Sequence, residues 1–275
     1  MTDTTSEEYQ SNLDHLMQTM GQHLIVYTGY YESFNPDGSR LGEGILALSG
    51  FLLAIGERHF WVTAGHCLKD VLEEPLKSKT LKLYSTAFAD YFGLTVGNKL
   101  PIPHTYLPGD GFYIEDVERG LDFGIVPLGP LTVQGFRTNG IKDVERGDWL
   151  TDRDTKFDHY KMYGIPACYT QFAVSAGGRP SGGIQPAMVA IDPIDRLSDD
   201  NPLSNEWFVG RIHPDATIPD IRGMSGGPIY GFTRVGEKAW TYKVVALQSR
   251  WNRRTRVIFG CSLQAMAKAL SEALA

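Results

Sequence analysis

The sequence predicts an all-β protein with an amphipathic helix at each end. Short runs rich in β-branched and aromatic residues recur along most of the chain. The 30 glycines and 15 prolines, together with Asn and Asp, break these runs up, and helical periodicity is confined to the termini. At 275 residues the chain exceeds the commonest domain size, but all-β barrels often reach this length as one unit.

In chain order, residues 4–20 come first. Thr4 and Glu7 have the spacing of a capping box, and Tyr9, Leu13, Leu16, Met17 and Met20 fall at helical spacing. The polar face of this helix is acidic, which fits a helix docked on a barrel and not one lying on a membrane. The predicted strands are then 23–28, 44–55, 59–63, 80–84, 123–126, 161–165, 171–174, 187–191, 207–212, 228–232 and 239–248. Residues 101–119 and 175–186 read as long loops, the second around Gly177, Gly178, Gly182 and Gly183. Long loops in a compact domain are usually functional or mobile. Neither precedes the helix pattern that a phosphate-binding loop requires. Residues 192–202 read as a solvated connection. Leu263, Met266, Ala267, Leu270 and Leu274 keep helical period and close the chain.

Composition narrows the function classes. A formal charge of −6 disfavours a phosphate-binding surface, so no nucleic-acid partner is expected. No run approaches the length of a membrane-spanning helix, so no membrane partner is expected. The first residues are acidic and polar, unlike a secretory signal. Cys67, Cys168 and Cys261 are too few for a disulfide framework, and their spacing suits no metal site. A reducing, cytoplasmic location is the expectation, with no metal and no cofactor.

Two segments carry chemistry. Thr63-Ala64-Gly65-His66-Cys67 places a histidine at the mouth of an apolar strand, and Gly223-Met224-Ser225-Gly226-Gly227-Pro228 places a serine in a glycine-rich turn. Between them, Asp122 precedes the apolar run 123–126. A serine hydroxyl is a weak nucleophile unless a base takes its proton and an acid orients that base. Glycines around the serine let backbone N–H groups approach a developing oxyanion. The chain order His, Asp, Ser distinguishes this set from the orders used on unrelated hydrolase folds.

On these residues the chain resembles the trypsin-like serine peptidases. Residues 63–67 resemble the family's histidine segment in the form found in bacterial members, 121–128 its aspartate segment, and 223–228 its Gly-Asp-Ser-Gly-Gly-Pro. Residues 244–251 resemble the strand that lines the primary specificity pocket. The resemblance implies two packed six-stranded antiparallel barrels, the first about 22–135 and the second about 155–260. A helical extension at 1–21 would precede them and a helix at 262–274 would follow. It implies His66 as general base and acid, Asp122 as orienting acid, Ser225 as nucleophile, and the N–H groups of Gly223 and Ser225 as oxyanion hole. Ser249 would support Asp122.

The departures from the family pattern are informative. Cys67 lacks its usual disulfide partner, because residues 47–52 contain no cysteine. Met224 replaces the aspartate that, in zymogen-type relatives, captures a newly cut N-terminus, so that activation switch is absent. For the specificity pocket the candidates are Asp220, whose carboxylate would select Lys or Arg, and Gln248, Arg250 and Trp251 on its walls. The resulting expectation is a serine endopeptidase acting on a protein or peptide, with a narrow substrate range or a regulatory protein partner. Its rivals are a silent binding module on the same fold and an esterase.

Overall fold

Apolar residues alternate or run continuously through the predicted strands, and in the computed structural model they pair into two antiparallel systems. The structure describes residue 16 and residues 18–90, 101–149, 155–174, 180–194, 207–235 and 239–274. The first system comprises β1 (Leu24–Phe34), β2 (Arg40–Ile55), β3 (Arg58–Thr63), β4 (Leu81–Asp90), β5 (Ile102–Pro103), β6 (Phe112–Asp116) and β7 (Leu121–Pro127). They form a seven-stranded sheet in the order β5-β4-β1-β2-β3-β7-β6. Next come β8 (His159–Gly164) and a hairpin of β9 (Thr170–Val174) and β10 (Pro180–Ile184). They are followed by β11 (Ala187–Pro193), β12 (Trp207–Ile212), β13 (Pro228–Val235), β14 (Ala239–Asn252) and β15 (Val257–Ser262). The strands β11-β12-β15-β14-β13-β8 close into a barrel. A helix, Leu263–Leu274, ends the chain.

The protein is all-β, as the sequence predicts, and its second unit is the expected six-stranded closed barrel. The first unit holds seven strands where the resemblance implied six: the five read from the sequence are joined by two short strands in the segment read as a loop at 101–119. The loop read at 175–186 contains β10, held by register pairing with β9 and not by β-propensity. β15 and the helix Pro130–Thr138 were not foreseen, although Pro130 sits at a helix start. Residues 4–15 and Met17 of the expected N-terminal helix lie outside the described residues, as do Gly177, Gly178 and residues 195–202.

One apolar core runs through both units. Leu24, Ile25, Phe51, Trp61 and Phe123 of the first sheet share it with Tyr163, Tyr230 and Leu247 of the barrel. Leu263, Met266 and Leu270 of the final helix join the same cluster. A second cluster, including Met162, Met224, Ile229 and Ile258, fills the barrel. The segment before β1 is pinned to the barrel: the Tyr230 hydroxyl donates to the Met20 carbonyl (3.1 Å) and the Gln22 amide to the Tyr242 hydroxyl (2.6 Å). Among the described residues, no helix is long and apolar enough to cross a membrane.

Candidate functional site

The site begins with a strand register. β3 ends at Thr63, paired with Gly124 of β7, which brings the turn after β3 past Asp122. Gly65 makes that turn possible: a Cβ there would lie 2.9 Å from Asp122 Oδ1 and collide with the Ile114 carbonyl. The chain then enters a short, wide π-helical segment, Cys67–Glu73, with His66 at its start. The His66 main-chain N–H donates to Asp122 Oδ1 (2.9 Å), and the ring Nδ1–H donates to Asp122 Oδ2 (2.7 Å). Only a protonated Nδ1 can face a carboxylate, so in the neutral ring the tautomer is fixed and Nε2 is the nitrogen left as acceptor.

Asp122 is fully buried, and a buried carboxylate is tolerable only with donors around it. It has them, because the Ser249 hydroxyl also donates to Oδ2. Burial pushes the Asp122 carboxyl upward, but the bonds from His66 and Ser249 outweigh it and hold the group below the usual carboxylate range. On His66, burial pulls the ring downward. The hydrogen bond to Asp122 and the neighbouring Cys67 thiol outweigh that and push it up to about 10. With 28% of its side chain exposed, the ring remains within reach of solvent.

Ser225 sits half-buried in a turn that its neighbours hold fast. Met224 is a fully buried plug in the barrel core, and its N–H bonds to the Ile221 carbonyl (3.1 Å). Gly226, at φ 89°, donates to the Gln248 carbonyl (2.7 Å), and Gly227 donates to the Met224 carbonyl (2.9 Å). Among the described residues the N–H groups of Gly223 and Ser225 have no partner. The Gly223 N–H has a defined direction. The Ala167 N–H donates to the Arg222 carbonyl (2.6 Å), and across a trans peptide the following N–H points the opposite way. The Ser49 hydroxyl, itself accepting from the Ile165 N–H (2.9 Å), donates to the Gly223 carbonyl (3.1 Å). Ser49 and Ala167 carry no motif, and sequence reading missed them.

The hydroxyl of Ser225 donates to the Ser249 carbonyl (3.1 Å) and not to His66. The thiol of Cys67 lies 3.5 Å from His66 Nε2 instead. The structure therefore brings His66, Asp122, Ser249 and Ser225 into one cluster, with the serine turned away from the ring. An oriented imidazole next to a hydroxyl and two unspent N–H groups has the parts needed for acyl transfer.

The candidates for the specificity pocket fall in different settings. Asp220 is not a free carboxylate at a pocket base. It is engaged by the Arg222 Nε (2.7 Å), Nη2 (2.6 Å) and main-chain N–H (2.9 Å), and the Arg222 bond holds its pKa down. The reason is local: a turn places the two side chains two residues apart on one face. Gln248 is buried with its Oε1 unpartnered. Arg250 pairs with Glu115 (2.6 Å), and Trp251 packs on the barrel core. Cys67, Cys168 and Cys261 are unbridged, and among the described residues no cluster of His, Cys, Asp or Glu is arranged to hold a metal ion.

No family model matches the chain, and no curated protein matches it. Among solved structures it is similar to a catalytically inactive tobacco etch virus protease complexed with substrate. The match has 12% identity over 94% of this chain and 86% of that one, with a TM-score of 0.40.

Proposed function

We propose that the protein is a serine endopeptidase of the trypsin-like type, hydrolysing a peptide bond through an acyl-enzyme on Ser225. The observation that carries this reading is the buried Asp122 carboxylate fixing one tautomer of His66 next to a serine whose turn leaves two N–H groups unspent. In the proposed reaction, the Ser225 hydroxyl rotates from the Ser249 carbonyl to His66 Nε2, which takes its proton as the oxygen attacks the carbonyl carbon. The N–H groups of Gly223 and Ser225 receive the oxyanion. His66 then passes the proton to the departing amine, and water repeats the sequence on the ester. Asp122 stays ionised throughout and stabilises the imidazolium, while Ser249 holds the carboxylate in place.

This reading assigns the site to a protein or peptide substrate, with no cofactor. A cytoplasmic location and a regulatory protein partner belong to it as further proposals, suggested by the unpaired cysteines and by the hazard of an unrestrained endopeptidase. One observation favours a silent binding module: the Ser225 hydroxyl points away from His66, and Cys67 stands at Nε2. The two readings separate on a digest of a peptide library. Site-selective cleavage that disappears in Ser225→Ala supports the peptidase. Binding of peptides without cleavage at any pH supports the module.

A further inference from the structure

Four arginines fall between residues 250 and 256 of a chain whose formal charge is −6. Two of them are engaged within the fold: Arg250 pairs with Glu115 (2.6 Å), and Arg256 donates to the Ala216 carbonyl (3.1 Å). Arg253 and Arg254 are exposed, and among the described residues neither side chain forms an ion pair. The turn that carries them is fixed. Asn252 pairs with Val257 in the β14–β15 ladder, and its side-chain oxygen accepts from the N–H groups of Arg254 (3.0 Å) and Thr255 (3.1 Å). The Thr255 hydroxyl accepts from the Val257 N–H (3.4 Å), so the backbone has little ordering left to do on binding.

β14 sets where this turn stands. Ser249 donates to Asp122 and accepts from the Ser225 hydroxyl, and Arg253 follows it by four residues, roughly 13 Å along an extended strand. On the approach to the serine turn, Asp220 is tied to Arg222 by three contacts, and the charge of Arg253 adds to the hold on its carboxyl. Arg253 therefore stands beside that pair, where two guanidiniums meet one carboxylate. The exposed carboxylate of Asp215, next to Ala216, lies against His213 (3.7 Å). The result is a local excess of guanidinium charge at the edge of the candidate site, on a molecule that is acidic elsewhere.

We propose that the Arg253–Arg254 turn is an exosite that recruits polypeptides through acidic side chains lying about four to six residues from the bond to be cut. The inference rests on the peptidase reading and adds a substrate class to it. A guanidinium matches a carboxylate with two parallel hydrogen bonds, so an acidic peptide is the complementary chemistry. A nucleic-acid surface would need a longer basic stripe than one turn, and the rest of this chain repels phosphate. Each exposed carboxylate–guanidinium pair contributes about 1.5- to 5-fold, so two give about 2- to 30-fold in affinity. The contact is the same in the bound ground state and the transition state, so the gain falls on KM and leaves kcat unchanged.

The test measures binding in the full-length Ser225→Ala protein, with and without the R253E/R254E pair, each checked for an unchanged melting curve. The probes are two fluorescent peptides of equal length, one carrying four consecutive glutamates and the other four glutamines. At low salt the glutamate peptide should bind about 2- to 30-fold more tightly. The difference should vanish with R253E/R254E and in about 1 M salt, where the screening length falls to about 3 Å. In a peptide-library digest by the active protein, acidic residues should be enriched on one side of the cut, about four to six residues away. R253E/R254E should lose that enrichment through KM at constant kcat. Equal binding of the two peptides, a preference that survives R253E/R254E, or a digest without acidic enrichment overturns the proposal. So does tighter binding of a single-stranded DNA oligonucleotide or of anionic lipid vesicles than of the glutamate peptide. Fluorophosphonate labelling of the wild-type protein reads the peptidase assignment separately: failure to label with the charge preference intact removes that assignment and leaves the arginine turn standing as a binding site.

Discussion

His66 holds two opposing requirements. The Asp122 carboxylate and the Cys67 thiol favour its imidazolium and raise it to about 10, yet a general base must be neutral. The proposed activity therefore rises with pH. As the proton leaves Nε2, log kcat/KM should climb with a midpoint above the ordinary 6.5 and toward about 10. Cys67→Ala removes one of the influences that raise His66, so its profile should shift to lower pH. A profile that falls across this range, or one unmoved by Cys67→Ala, contradicts the assignment. Stability follows the same groups with the sign reversed. The raised His66 contributes below pH 6.5 and loses its contribution as pH climbs through about 10, while the lowered Asp122 loses its contribution as pH falls below 3.8. Ser225→Ala and His66→Ala should each abolish turnover, and the double variant should be no slower than either single one, because the residues act as a unit. At this scale the grouping of His66, Asp122, Ser225 and Ser249 was legible, since each sits in a short local pattern. The pairing of Asp220 with Arg222 and the approach of Cys67 to Nε2 were not, because side-chain direction is set only by the folded turn.

The serine turn is held by contacts from other elements. Met224 is apolar and buried, and the carbonyls of Arg222 and Gly223 are held by Ala167 and Ser49. Ser49→Ala leaves the Gly223 carbonyl and the Ile165 N–H without that partner, at a cost of about 1–3 kcal/mol in stability. The Ala167–Arg222 bond still sets the direction of the Gly223 N–H, so the turn loses one support and not the donor, and kcat should fall by less than the roughly 10²–10³ lost when one oxyanion donor is removed, with KM little changed. Steady-state kinetics beside a thermal melt measures both, and unchanged kcat would show that Ser49 is structural only. Trimming the chain to begin at Leu24 removes the contacts of Met20, Gln22 and His23 with Tyr230 and Tyr242. It should lower the melting temperature and give no gain in turnover, whereas a large gain would restore N-terminal activation. The elements hidden in the sequence have different causes. β6 carries the strand-formers Phe112, Tyr113 and Ile114, but the run is short and closely bounded by Gly109, Gly111 and Gly120. β10 reads Pro-Ser-Gly-Gly-Ile, without the β-propensity that marks a strand, and is held by pairing with β9.

Across the whole molecule, the alternation of apolar runs with Gly and Pro made the all-β class legible, because burial against a shared core enforces that pattern, while the six-stranded closed barrel came from the motif resemblance alone. The three cysteines stay unbridged in the fold, so reductant should leave the melting temperature almost unchanged, where loss of a native disulfide costs about 2–5 kcal/mol. A large drop on adding dithiothreitol would mean that a bridge forms in solution.

The central claim is that Ser225 is a nucleophile activated by His66. Intact-mass and peptide-mapping analysis of protein treated with a fluorophosphonate at mildly alkaline pH tests it most directly. The account predicts one adduct per chain, located on Ser225, absent in Ser225→Ala and strongly slowed in His66→Ala. No adduct at any pH, or an adduct that persists in Ser225→Ala, would contradict it.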